Sequence, residues 1–186
     1  MGDLYLVLLH HPVYDKNGAI VTTAVTNMDV HDLGRLARTF DVRAFYVATP
    51  VPTLRRLVER IMRHWDTGPG AAYNHTRKEA LALARLAPDL DTVIADVERE
   101  TGGLPRLVAT TAREGGRRLS FADLRRRLHD DPRPDLLVLG TGWGLTREVL
   151  DRCHDLLEPI RGTGDYNHLS VRSAASIILD RLRNGR

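Results

Sequence analysis

Cysteine is almost missing from this sequence: Cys153 is alone among 186 residues. A lone cysteine excludes an internal disulfide, and without a visible chemical partner it reads as a small buried apolar side chain. Lysine is nearly as scarce, because only Lys16 and Lys78 among the 27 basic residues are not arginine. Genomic base composition explains such a bias as well as selection for bidentate phosphate contacts does, so where the arginines cluster matters more than how many there are. Also lacking is any run near the roughly 18 apolar residues of a membrane span, and the opening MGDLYLVLLHHP has neither a basic n-region nor a small-residue cleavage site. The expectation is a cytoplasmic protein with no membrane partner. No repeat, low-complexity tract or linker divides the chain, so residues 1–186 read as a single domain.

What is present fits a folded α/β protein. Apolar residues make up 42% and charged residues 27%, with a formal net charge of +3. Short apolar runs, Leu4 to Leu9, Ala44 to Ala48, Leu107 to Thr110 and Leu136 to Leu139, alternate with helical patterns, which predicts a mainly parallel sheet flanked by helices. The spacing predicts helices from Asp29 to Phe40, with Asn27 as a natural cap, and from Pro52 to Trp65. Residues 77 to 101 read as two helices broken at Pro88. A short helix from Ser120 to His129 has Ser120 as cap, and a last one runs from about Leu169 to Arg183 with Ala174, Ile177, Ile178 and Leu182 at helical spacing. Three arginine groups, Arg55, Arg56, Arg60 and Arg63, then Arg113, Arg117 and Arg118, then Arg125 to Arg127, are candidates for a phosphate-binding face or for ordinary solvated helix surface.

The segment that points most directly at a ligand is Asp135-Leu-Leu-Val-Leu-Gly-Thr-Gly-Trp-Gly-Leu145, a buried-strand pattern entering a glycine-rich turn and then a helix. Glycines there let a ligand approach the backbone beyond the strand's carboxyl end, although a purely structural turn uses them too. The turn is neither a Walker A loop nor a G-x-G-x-x-G loop. A long Pro- and Gly-rich loop, Leu156 to Asp165, then leads into Tyr166 to Ser176, where small and polar residues crowd the start of the last helix. His168 alone means little, and with no Cys, His or carboxylate cluster at metal spacing no metal is expected.

Three of these segments together resemble the three signature motifs of the SPOUT superfamily of knotted RNA methyltransferases. They are Leu33-Gly-Arg-Leu-Ala-Arg-Thr39, Leu136 to Leu145, and Tyr166 to Leu179. The strings VTTAVTNMDVHD, LGTGWGL and YNHLSVRSAASIILDRL resemble most closely a bacterial RNA methyltransferase family within it. The resemblance implies a C-terminal trefoil knot, an exception to the rule that chains do not thread their own loops. It implies S-adenosylmethionine as cofactor, leaving as S-adenosylhomocysteine, held by Thr110, Thr111 and Ala112, by Gly140, Thr141, Gly142 and Gly144, and by Ile160, Tyr166, Asn167, Leu169 and Ser170. It implies tRNA or rRNA as substrate and a homodimer, for which the small residues of the last helix suit the contact.

Its implied catalytic residues are Arg38, which polarises or positions the acceptor, Asp165, which takes the proton, and Asn27. Asp165-Tyr166 resembles the Gly-Asp-Tyr loop of guanine-N1 tRNA methyltransferases. Asp32 stands where the first motif carries Asn, and Thr141 or Trp143 where the second carries Glu, so ribose and base acceptors both stay open. Two other functions fit the same residues: a non-catalytic dimeric module binding S-adenosylmethionine or RNA, and a nucleotide-using enzyme of flavodoxin type, which lacks its phosphate motif here.

Overall fold

The computed structural model describes residues 2–113 and 115–185. In chain order the elements are β1 (Leu4–Leu9), β2 (Val13–Tyr14), β3 (Ile20–Val21), α1 (Asn27–Thr39), β4 (Ala44–Ala48), α2 (Pro52–Asp66), α3 (Pro69–Tyr73) and α4 (His75–Leu81). There follow β5 (Ala84–Ala87), α5 (Leu90–Thr101), β6 (Arg106–Ala109), α6 (Phe121–Asp130), β7 (Asp135–Gly140), α7 (Arg147–Arg152), β8 (Asp155–Leu156) and α8 (Val171–Asn184). Six strands form one sheet in the order β5-β4-β1-β7-β6-β8, every pair parallel, and β2 and β3 form a separate antiparallel hairpin.

Side chains along a strand alternate between the two faces of a sheet, and here both faces are buried. Leu4, Leu6, Leu8, Phe45, Val47, Leu137 and Leu139 point to one face, where they meet Leu33 of α1, Val58 of α2, Leu124 of α6 and Ile178 of α8. Tyr5, Val7, Leu9, Tyr46, Leu136 and Val138 point to the other, covered by Val93 and Val97 of α5 and Val149 of α7. That double covering is why the strands read as unbroken apolar runs.

The helix expected to continue from 77 towards Pro88 is instead α4 followed by the edge strand β5. Its sequence Ala-Arg-Leu-Ala suits a helix, but pairing of Phe45 to Ala48 with Ala84 to Ala87 extends the sheet, and backbone pairing overrides a weak propensity. Asp89, rather than Pro88, then starts α5 by accepting from the Thr92 amide at 2.8 Å. The cap of α1 is also corrected. Thr26 accepts from the Asp29 amide at 3.1 Å and Asp29 accepts in return from the Thr26 amide, a capping box that leaves Asn27 as the first helical residue. On α8 the buried stripe is Ala175, Ile178, Leu179 and Leu182, while Ala174 and Ile177 are only half-buried.

The last strand has an unusual position. Val108 and Ala109 of β6 pair with Asp155 and Leu156 on one side of β8. On its other side the Leu119 amide donates to the Leu156 carbonyl and the Glu158 amide to the Leu119 carbonyl, both at 2.9 Å. The chain at 155–158 therefore runs between β6 and Leu119.

Candidate active site at the carboxyl edge of the sheet

Strand β7 delivers the glycine-rich turn to the carboxyl edge of the sheet. Gly142 and Gly144 have φ of 59° and 101°, a backbone region that favours glycine, and the turn ends where Thr146 caps α7. The β2–β3 hairpin grips this turn from outside: the Tyr14 amide donates to the Gly144 carbonyl and the Trp143 amide to the Tyr14 carbonyl, each at 2.9 Å. A Cβ at Gly142 would stand 2.9 Å from the Tyr14 carbonyl oxygen, so the close approach requires glycine. From the inside, the Thr141 hydroxyl donates to the Leu9 carbonyl at 3.1 Å and is hydrogen-bonded to the Thr23 hydroxyl, which meets Nδ1 of His10 at 3.0 Å. Burial holds the His10 imidazole below its ordinary pKa, so it is neutral at neutral pH. The polar stretch from Thr22 to Asn27 is thus fastened to the turn. Only its position next to a helix hinted at this in the sequence.

The two other expected loops lie beside the turn. The Thr110 amide and hydroxyl both donate to the Val138 carbonyl, at 3.0 and 3.2 Å. The Thr111 hydroxyl accepts from the Arg113 amide, and the Arg113 guanidinium donates to the Trp143 carbonyl at 3.4 Å. From the loop before α8, the Asn167 side chain donates to the Ala112 carbonyl at 2.9 Å. Ile160 packs on the core, Tyr166 and His168 meet edge to face, and Tyr166 (78% exposed), Leu169 and Trp143 present apolar surface around the loops. Ser170 caps α8, accepting from the Ser173 amide at 3.2 Å. Asp165 is exposed on the same loop.

Asp29 joins α8 to the start of α1, because its buried carboxylate accepts from the Arg172 guanidinium at 2.8 Å. Arg172 also pairs with Asp32 at 3.2 Å, so the residue that departs from the first motif has a structural partner. Arg38 lies elsewhere. It sits in the last turn of α1, paired with Glu79 of α4 at 3.6 Å, and Arg43 just beyond bonds the Leu4 carbonyl at the amino edge of the sheet. Helix rise places it roughly 16 Å along the axis from Asn27, so one chain does not bring Arg38 to the three loops. Arg35, one turn nearer, is exposed.

Two of the arginine groups have internal work. Arg127 donates to the buried Asp135 at 2.7 Å and to Asp155 at 2.6 Å, Arg126 pairs with Asp123, and Arg118 donates to the carbonyls of Arg113 and Gly115. Among the described residues no three His, Cys, Asp or Glu side chains gather to hold a metal, and no helix is long and apolar enough to cross a membrane. Cys153 is half-buried, and burial pushes its thiol up to about 11.

Residues 3–184 match the model of a family described as SAM-dependent RNA methyltransferase. The chain belongs to that family. A tRNA (guanine-N(1)-)-methyltransferase of Oleidesulfovibrio alaskensis is 43% identical over 180 residues, covering 97% of this chain and 42% of that protein. The chain thus spans less than half of that curated relative. An uncharacterised protein of Aquifex aeolicus is 41% identical and is covered over 88% of its length. Among solved structures, the SpoU methyltransferase AviRb of Streptomyces viridochromogenes, in complex with AdoMet, superposes with a TM-score of 0.62 over 99% of this chain and 58% of that one. At 17% identity this likeness shows the fold. The parallel six-stranded sheet between helices expected from the sequence is therefore the observed one.

Proposed function

We propose that this family member transfers a methyl group from S-adenosylmethionine to structured RNA, tRNA or rRNA, in the cytoplasm, with residues 1–186 as one domain of a homodimer. The observation that carries the reading is the meeting of three loops, 110–112, 140–144 and 160–170, at one edge of the sheet, tied by Asn167 to Ala112 and by Arg113 to Trp143. Gly144 supports the fit of the cofactor: its φ is positive and a Cβ there would meet nothing within 4 Å, which leaves room for a flat ring against the backbone. Thr110, Thr111, Ala112, Gly140, Thr141 and Gly142 hold it from one side and Ile160, Tyr166, Asn167, Leu169 and Ser170 from the other. The course of residues 155–158 between β6 and Leu119 supports a trefoil knot that fixes these loops to one another.

Once bound, the cofactor supplies an electrophilic methyl group, so the protein need only orient the acceptor and take its proton. Asp165 takes the proton, from an exposed position at the loop edge, and Asn27 at the start of α1 helps position the acceptor. Arg38 can act at this site only from a second copy of the chain, which is the role we assign it in the homodimer. The test is incubation of unmodified RNA with methyl-labelled S-adenosylmethionine, followed by nucleoside analysis, which also separates ribose from base methylation. Label enters RNA with the wild type and falls by about 100-fold or more with Asp165→Asn, while S-adenosylhomocysteine still binds. Cofactor binding without label in any RNA would instead favour the non-catalytic module.

A further inference from the structure

Charge is unevenly divided between the two faces of the sheet. On one, α5 carries Asp91, Asp96, Glu98 and Glu100 against the single Arg99. On the other, α2 presents Arg56, Arg60 and Arg63, all exposed, at i, i+4 and i+7. That spacing puts them on one side of the helix within about 10 Å along its axis, opposite Leu54, Val58, Ile61 and Trp65, which pack inward. Among the described residues none of the three guanidiniums has an ion-pair or hydrogen-bond partner, and the neighbouring Glu59 pairs with none of them. Arg106 of β6 and Arg126 and Arg127 of α6, by contrast, are spent on Asp123, Asp131, Asp135 and Asp155. Three unpaired like charges on one helix face repel one another; the phosphates of a polyanion neutralise them, and the polyanion's condensed counterions are released as they do.

The far end of α2 carries the groups that suit a nucleic acid. Arg77 lies over the Trp65 ring at 4.7 Å, with His31 and His64 edge-on to the same ring at 5.5 and 5.1 Å. Tyr73, on α3 beside them, is 87% exposed. The near end of α2 begins just after β4, at the sheet edge that bears the three loops, where Arg55 donates to the Thr49 carbonyl.

We infer that the outer face of α2, with Arg56, Arg60 and Arg63 on its axis and Arg77 and Tyr73 at its end, is the surface along which the RNA backbone docks and is led to the loops. The inference rests on RNA being the substrate. Its test compares two triple variants with equal change of net charge: Arg56→Gln, Arg60→Gln, Arg63→Gln against Arg99→Gln, Arg126→Gln, Arg147→Gln, whose arginines are all ion-paired with acids. Binding of unfractionated transfer RNA is measured as a function of salt, with the melting temperature and S-adenosylhomocysteine affinity as checks on fold and pocket. The slope of log affinity against log salt drops by roughly 2 to 3 in the α2 variant and by less than about 1 in the control, as expected for three lost phosphate contacts. An unchanged slope in the α2 variant, or an equal drop in both, overturns the inference and leaves the proposed function standing. Failure of the wild type to bind the RNA at low salt would remove both.

Discussion

At the residue scale the site is built by polar side chains that serve backbone rather than substrate. His10, Thr23 and Thr141 form one hydrogen-bonded line from the end of β1 to the glycine-rich turn. Because burial lowers the His10 pKa, the unfolded chain takes up a proton below about 6.5 that the folded chain accepts only at lower pH. The unfolded state then binds more protons, so stability contributed by this group is complete above that value and is lost as pH falls through the window beneath it. Urea denaturation between pH 7.5 and 5.5 should show the wild type losing more stability than His10→Gln. Parallel curves would mean that His10 is not held neutral. Nothing in the letters His10-His11-Pro12 announces this role, since a hydrogen bond to a residue 13 positions away depends on the whole edge of the sheet.

At the scale of elements, the junction of β6, β7, β8 and α6 is held by charge. Asp135, fully buried at the start of β7, accepts from Arg106 at 2.9 Å and from Arg127 at 2.7 Å, and Arg127 continues to Asp155 of β8. Removing the shared carboxylate leaves two guanidiniums with less than their counter-charge, a change that costs about 3–5 kcal/mol for a buried pair. Asp135→Asn is therefore expected to lower the unfolding free energy by that order in chemical denaturation. A loss within about 1 kcal/mol would show that water or the remaining acids already neutralise the pair. The same elements show why some were legible in the sequence and others not. Strands β1, β4, β6 and β7 are buried on both faces, so their apolar runs stand out, while α2 carries its own period and α6 its own period and Ser120 cap. Strand β5 has helix-forming letters and becomes a strand only because β4 offers an edge, while β8 is two residues long and exists only between β6 and Leu119. Motif spacing revealed the loops, but the hairpin that grips the turn and the Asp29–Arg172 pair are contacts across the chain that no periodicity encodes.

At the scale of the whole molecule, three loops far apart in sequence converge on one edge, and the face of α2 that leads away from that edge is cationic while α5 on the opposite face is acidic. The superfamily resemblance anticipated the convergence. The helix pattern likewise puts Arg38 in the last turn of α1, but it shows which face a residue takes and not which edge of the sheet that turn reaches. Cofactor binding at the loop edge is what the rest of the proposed chemistry depends on. The measurement that tests it most directly is calorimetric titration of the intact chain with S-adenosylhomocysteine, with FMN as control. Saturable binding of about one molecule per chain, seen with S-adenosylhomocysteine and not with FMN, is the predicted result. No binding of S-adenosylhomocysteine, or equal binding of FMN, would contradict it.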